Sequence, residues 1–356
     1  MNSRKIKKLV EEVKKPKVDP RIAELERELR SKNMKIESLA REKASQQNLI
    51  KQYESIIREA KIVQDAGPPE IKPIKPKVAW STEATVISVA SDWHIEEKID
   101  PKTVNELNEY NPDIAAARAE RFFRVALRLT QIIQQDVTVN TVVLPLLGDF
   151  ITNQIHEEAA EINDKLPMDA VLMAQSYIAS GIKFLLENSN CKLEIPCHSG
   201  NHGRTTDRVH MAGEAGHSLE YFMYRNLEHH FKSESRVNFH VSLAYHSYMD
   251  IYDKTIRFHH GHAMRYYGGI GGIYISVNKA IAQWNKARRA DLDIFGHFHQ
   301  LKDGGIFVSN GSLIGWSPYS MRIKADYEEP KQAFIVIDNK HGRTFTCPIY
   351  VKRTKK

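Results

Sequence analysis

Thr85-Val86-Ile87-Ser88-Val89-Ala90-Ser91-Asp92-Trp93-His94 decides how the chain folds. Residues 85–90 are rich in β-branched side chains and read as a strand. The run ends in an Asp and a His two positions apart, which at a strand end can turn to the same side and hold one cation. Alone, that pair is weak evidence, but the pattern recurs. Residues 141–147 are apolar and stop at Gly148-Asp149-Phe150, where glycine lets backbone approach a site and the carboxylate offers two oxygens able to bridge two metals. Residues 193–197 lead into Gly200-Asn201-His202, residues 255–258 into His259-His260-Gly261-His262, and residues 293–295 into Gly296-His297-Phe298-His299. Each motif has an innocent reading. A lone His-X-His is more often a surface or satisfied-core feature than a ligand pair, and Gly-Asp is common in turns. Five such strand ends in one chain are another matter, because together they supply oxygen and nitrogen donors in the ratio a binuclear hydrolytic site wants.

Beyond Trp80, short apolar runs alternate with longer amphipathic stretches, the pattern of the α/β class. The material before it is different. Residues 21–65 contain no Gly or Pro and are dominated by Ala, Leu, Glu, Lys, Arg and Gln, which predicts one long helix. A heptad frame places Ile22, Leu29, Ile36, Lys43, Ile50 and Ile57 at one core position and Leu25, Lys32, Leu39, Gln46, Tyr53 and Ala60 at the other. Nine of these twelve are apolar, with a break at Lys43 and Gln46. Such a seam suits a self-associating coiled coil, a helix packed on another partner, or a lone helix lying on its own body. Pro68, Pro69, Pro73 and Pro76 then deny a helix. Three segments follow: a basic helical or coiled-coil arm at 1–65, a Pro-rich linker at 66–79, and the α/β body at 80–356.

With 356 residues, 42% hydrophobic and 27% charged, the chain can bury a core and is not wholly disordered. No stretch approaches the ~20 apolar residues of a spanning helix. No apolar run follows the basic start, so neither a membrane partner nor a secretory signal is expected, and a cytoplasmic location is. Three cysteines match no zinc or disulfide spacing and read as reduced packing residues. Of the net charge of +7, the arm carries 17 basic against 11 acidic residues, leaving 34 against 33 in the remainder. The arm can therefore contact nucleic-acid phosphates, although its charges are interspersed as on an ordinary solvated helix.

The series Asp-X-His, Gly-Asp, Gly-Asn-His, His-Gly-His and Gly-His-X-His resembles the signature of the calcineurin-like metallophosphoesterase superfamily, over residues 85–338. With Asn310-Gly311-Ser312 and a closing strand at 332–338, the spelling is most similar to metallophosphoesterases of bacteriophages and prophages. The resemblance implies a double β-sandwich flanked by helices, four layers in αββα order, with the site at the strand ends. It implies two divalent ions, Mn2+ foremost with Fe and Zn2+ as alternatives. Asp92, His94 and His299 would bind one ion, Asn201, His260 and His297 the other, and Asp149 would bridge them. The implied function is a metal-dependent phosphoesterase of the nuclease or phosphodiesterase kind, acting on DNA or RNA in a bacterial host cytoplasm. Two alternatives stand beside it: a phosphomonoesterase or small-molecule phosphodiesterase, and a coiled-coil interaction protein with a vestigial hydrolase body.

Two cations roughly 3.5 to 4 Å apart share and acidify a water, so no Ser or Cys nucleophile is required. His202, beside Asn201, resembles the family's catalytic histidine, which assists the leaving oxygen; a bystander role is the alternative. This chain departs from the pattern at Thr152, where relatives often carry a second Asp, and at Gly203, where they often carry an acid. A carboxylate that orients His202 must then come from elsewhere, with His156, Glu157 and Glu158 as neighbours. Arg204 either clamps a phosphate bidentately or pairs with an acid such as Asp207. His198, His229, His230, His259 and His262 stay outside the ligand set, His262 being the one that can line the site. Residues 95–110, polar and poor in periodicity, read as a loop bordering the substrate groove, before a helix with Asn111 as N-cap and Pro112 in its first turn.

Overall fold

The computed structural model describes residues 20–65, 82–155, 161–265 and 272–352. The linker at 66–79 and the trio His156, Glu157 and Glu158 lie outside the described residues. Two compact units divide the chain, Met1–Pro76 and Lys77–Lys356. In the first, helix α1 (Pro20–Asp65) opens on a proline, whose fixed φ suits a first helical turn. Uninterrupted helix formers carry it through 46 residues, about 69 Å of rise. The seam residues Ile22, Leu25, Leu29, Ile36, Leu39 and Ile50 are each more than half exposed.

The second unit holds eleven described strands: β1 (Glu83–Ser88), β2 (Thr138–Val143), β3 (Lys192–Cys197), β4 (Val237–Val241), β5 (Ser247–Ile251), β6 (Lys254–Phe258), β7 (Leu292–Phe295), β8 (Lys302–Asp303), β9 (Phe307–Ser309), β10 (Lys331–Asp338) and β11 (Gly342–Tyr350). Its described α-helices include α2 (Pro112–Ile133), α3 (Pro167–Asn188), α4 (Leu219–His230), α5 (Ile273–Trp284) and α6 (Pro318–Arg322). One sheet runs β11-β10-β1-β2-β3-β4 and the other β5-β6-β7-β9-β8. Strands β1 to β4 are mutually parallel, and so are β6, β7 and β9.

Period-two alternation makes the layers. Ile87 of β1 and Ala333, Ile335 and Ile337 of β10 face Ile256, Phe258, Ile294 and Val308 of the second sheet in one core. Val86, Phe334 and Val336 point the other way, into a core shared with Phe122 and Phe123 of α2, Ile178 and Ile182 of α3, and Tyr224 of α4. Beyond the second sheet, Phe295 and Phe307 pack on Ile273, Val277 and Ile281 of α5. The four-layer αββα arrangement implied by the resemblance is therefore the one found. Burial on both faces also explains why β1 reads as a continuous apolar run without polar alternation.

Two expectations need correcting. The strand at 332–338 does not close the sheet, because β11 pairs antiparallel with β10 beyond it. The reversal uses Asp338, whose Oδ1 accepts from the backbone N–H groups of Lys340 and His341 at 2.8 and 3.0 Å, and Gly342 at φ 73°. Nor is the segment 95–110 simply a polar loop: Ile95, Ile99, Val104 and Tyr110 are buried, and the Tyr110 hydroxyl donates to the Trp93 carbonyl at 2.5 Å. Helix α2 begins as expected, with Asn111 Oδ1 accepting from the Ile114 N–H at 2.9 Å. Asn111→Ala is expected to cost about 1 kcal/mol, read as a lower urea midpoint with an unchanged slope.

Candidate metal centre

All five motifs follow the carboxyl ends of strands. Beyond β1 and β2 the parallel pairing continues as single bridges, Ala90 to Leu146 and Leu146 to Cys197, which carry three of the motifs to one edge of the first sheet. The loops after β6 and β7 bring the other two. The result is two groups of donors, Asp92 with His94 and His299, and Asp149 with His260 and His297; within each, the ligating atoms lie within 4.8 Å of one another. Asp92, His94, Asp149, His297 and His299 all adopt left-handed backbone, with φ between 48° and 71°. Outside glycine that region costs of order 1 kcal/mol or more per residue, and it persists where the surroundings over-determine it, often at functional sites.

Close backbone approach holds the carboxylates in place. A Cβ on Gly200 would sit 2.0 Å from Asp149 Oδ1, and one on Gly296 would sit 2.3 Å from Asp92 Oδ2. Asp92 accepts from the Ser91 hydroxyl at 2.5 Å and from the His297 N–H at 3.0 and 3.1 Å on its two oxygens. Ser91 is held in turn by Asn310 Nδ2 at 2.8 Å and by Gln332 Oε1, which accepts its backbone N–H at 3.1 Å. This gives the Asn310 and Gln332 regions of the sequence a physical role at the site.

Asp149 sits at the middle. Its Oδ1 accepts from the His202 N–H at 2.8 Å, and its Oδ2 faces His260 Nε2 at 2.9 Å without the alignment of a hydrogen bond. Once the His260 Nε2 proton is displaced, two donor atoms placed this way can converge on a third atom. Across the site, His94 Nε2 stands 3.2 Å from His299 Nε2, and His299 Nε2 stands 3.5 Å from Asp92 Oδ1. Burial, with His202 and His299 close by, holds the His94 imidazole well below its usual pKa, and burial does the same to His297. Both are then neutral, the form that binds metals. Burial alone would raise Asp149, but His260 and His202 outweigh it and keep its carboxyl well below the usual range. Burial of His260 is likewise outweighed by Asp149, which pushes that imidazole up to about 10.

The donor set suits divalent cations. Two carboxylates, four imidazoles and an amide oxygen make a mixed N/O shell, and the buried Asn201 Oδ1 and His299 Nδ1 have no hydrogen-bond partner among the described residues. Asn201 lies between Gly200 and His202, both in contact with Asp149. The His202 ring packs edge-on to His94 at 4.9 Å, and its Nδ1 is 2.9 Å from the Thr152 carbonyl, so a backbone oxygen does the orienting sought from a carboxylate. Arg204 directs its guanidinium at backbone carbonyls, those of Asn201 at 2.6 Å, Thr206 at 3.1 Å and Asp207 at 3.4 Å. It meets the main chain of Asp207 rather than its carboxylate.

Among the excluded histidines, His229 and His230 are exposed on α4 and His198 is buried with its ring nitrogen 2.7 Å from Ser247. His259 is buried against Phe295 and Asp293. His262 lies 5.5 Å, ring to ring, from His260, with Nε2 3.1 Å from Glu214 Oε1. Sequence reading missed Glu220 and Glu96, both fully buried. Glu220 accepts from the Phe150 and Gly200 N–H groups at 2.6 and 2.7 Å and so ties two donor loops together. Burial and the charge of Asp149 push its carboxyl up to about 8, and burial pushes Glu96 up to about 7.

No known family profile matches the sequence, and no curated protein does. Solved structures similar to the chain include a predicted phosphoesterase from Streptococcus pneumoniae, at 13% identity over 73% of this chain and 86% of that one, with a TM-score of 0.26. Zinc-complexed Vps29 from Entamoeba histolytica is 13% identical over 74% and 99%, at 0.30. A hypothetical protein from Pyrococcus horikoshii is 12% identical over 75% and 88%, at 0.35. No helix among the described residues is long and apolar enough to cross a membrane.

Proposed function

We propose that the chain is a metal-dependent phosphoesterase that hydrolyses phosphodiester bonds, with nucleic acid as the substrate class. What carries the reading is the pair of buried donor groups, Asp92–His94–His299 and Asp149–His260–His297, meeting at the strand ends. The first group would hold one cation, and the second, with Asn201 Oδ1, the other, while Asp149 bridges. Two divalent ions there, Mn2+ foremost, would acidify a water and neutralise charge on the phosphoryl oxygens. The protein's own part is placement. Burial keeps His94 and His297 neutral, glycine contacts fix both carboxylates, and His202, held through Nδ1, presents Nε2 to the leaving oxygen. Arg204, whose guanidinium donates to the Asn201 carbonyl at 2.6 Å, stands beside that ligand and is the candidate phosphate contact. The net basic arm supports nucleic acid over a small substrate, and the phage-like spelling supports a bacterial host cytoplasm as the setting.

The test offers the purified chain, with Mn2+, single-stranded and duplex nucleic acids, a bis-aryl phosphodiester and an aryl phosphomonoester. Cleavage of nucleic acid and diester is expected; cleavage of the monoester alone overturns the nuclease assignment. Deleting residues 1–77 is expected to leave diester hydrolysis within about twofold, because every proposed ligand lies in the second unit. Light scattering on the same truncation decides whether α1 self-associates: its mass falls from a multiple of the chain to a monomer if it does. An inactive truncation would move function to the arm and favour the interaction-protein alternative.

A further inference from the structure

Glu96 and Glu97 stand side by side on the loop that leaves β1, and both reach the same residue. Glu96 Oε1 accepts from the backbone N–H of Thr152 at 2.8 Å and of Asn153 at 2.7 Å. Glu97 Oε2 accepts from the Thr152 hydroxyl at 3.0 Å. Thr152, in turn, touches two histidines of the centre. Its Oγ1 is 2.9 Å from His94 Nδ1, and its carbonyl oxygen is 2.9 Å from His202 Nδ1.

The proton positions follow from valence. A hydroxyl has one proton to give, and an ionised carboxylate only accepts. Thr152 gives its proton to Glu97, so at its other contact Oγ1 must accept, and His94 Nδ1 must carry hydrogen. His94 Nε2 is left with a lone pair, directed at the space beside His299 Nε2, 3.2 Å away. A carbonyl also only accepts, so His202 Nδ1 is protonated by the same logic. Thr152 is 3% exposed and the Glu97 side chain 12%, so water competes little for these bonds.

We propose that Glu97 and Thr152 form a carboxylate–hydroxyl–imidazole relay that fixes the Nδ1–H tautomer of His94 and so turns Nε2 toward a divalent cation in the Asp92–His94–His299 group. Both are positioning residues, and the inference rests on the metal centre proposed above. A metal-binding imidazole usually donates its second nitrogen to a carboxylate or carbonyl directly. Here the hydroxyl stands between, which makes the direction of one proton decisive. In Glu97→Gln the amide NH2 can donate to Oγ1, Thr152 can then donate to His94 Nδ1, and the imidazole proton moves to Nε2, where it blocks the cation. No group need move to produce that effect.

The test has two readouts on the full chain. Imidazole 15N–1H spectra, with His94 assigned from a His94→Gln variant, report the tautomer in the metal-free protein: Nδ1–H is expected in the wild type and is lost in Glu97→Gln and Thr152→Val. Calorimetric titration with Zn2+ is expected to show one of two sites weakened roughly 10- to 100-fold in both variants, the other unchanged, and near wild-type binding restored by Thr152→Ser. An Nε2–H signal for His94 in the wild type, or unchanged Zn2+ binding in both variants, overturns the relay. A wild-type chain that binds no metal counts against the proposed function, while the spectrum of that same sample still decides the tautomer.

Discussion

Asp149→Asn is expected to lower kcat/KM on an activated phosphodiester by roughly a thousandfold or more, and to leave the protein holding at most one of two metal equivalents. The geometry sets the size of the effect. One carboxylate oxygen accepts the His202 N–H at 2.8 Å while the other faces His260 Nε2 at 2.9 Å. An amide can serve only one of these positions with oxygen. If oxygen stays on His202, the NH2 faces His260 and cannot ligate; if the amide turns over, its NH2 confronts the His202 N–H, donor against donor. Rotation offers no escape, because Gly200 packs so closely that even a Cβ there would sit 2.0 Å from Oδ1. The volume is unchanged, so the variant folds, and a wild-type-like melting curve beside elemental analysis separates loss of the centre from loss of the fold. Full activity with two bound metals in Asp149→Asn would remove Asp149 from the bridging role.

The donors were legible because their chemistry sits next to their secondary structure. Asp92, Asp149, His260, His297 and His299 each follow an apolar strand by a few residues, with glycine where backbone approaches a carboxylate, as at Gly200 and Gly296. Both the strand period and the glycine are local signals. The β-branched run of β1 likewise read as a strand, but the pairing order of the two sheets was not legible in the sequence and came only with the structure, because strand partners are set by contacts distant in the chain. The supporting residues gave no such signal. Glu220 bonds to Phe150 across 70 positions and Thr152 to Glu97 across 55, and no spacing rule connects them. The segment 95–110 misled for a related reason: its many charges hid four inward hydrophobic side chains, Ile95, Ile99, Val104 and Tyr110, whose spacing fits neither strand nor helix. Gly203 looked like a missing acid. In the fold a Cβ there would lie 2.8 Å from Glu220 Cγ, so the space is filled by a carboxylate arriving from α4.

Glu220→Leu is the substitution expected to damage the fold most directly, by about 2 to 6 kcal/mol. Glu220 lies in the first turn of α4, fully buried, and its two oxygens accept from Phe150 N–H and Gly200 N–H. Leucine fills similar space but leaves both donors buried without acceptors, each costing about 1 to 3 kcal/mol. In a unit of this size that lowers the melting temperature by roughly 10 °C. One opposing effect exists: removing a carboxylate from beside Asp149 relieves the burial and repulsion that push Glu220 up to about 8. Relief of charge cannot supply acceptors, so the sign stays destabilising. The metal centre should feel the change as well, because the two donors belong to residues flanking Asp149 and Asn201, and the carboxylate between them is what keeps the two loops in register. Thermal melts with and without Mn2+ read both consequences: a lower midpoint, and a smaller metal-induced rise than in the wild type. A midpoint within 2 °C of the wild type would mean that both N–H groups find other acceptors and that the loops are held by the glycine contacts alone.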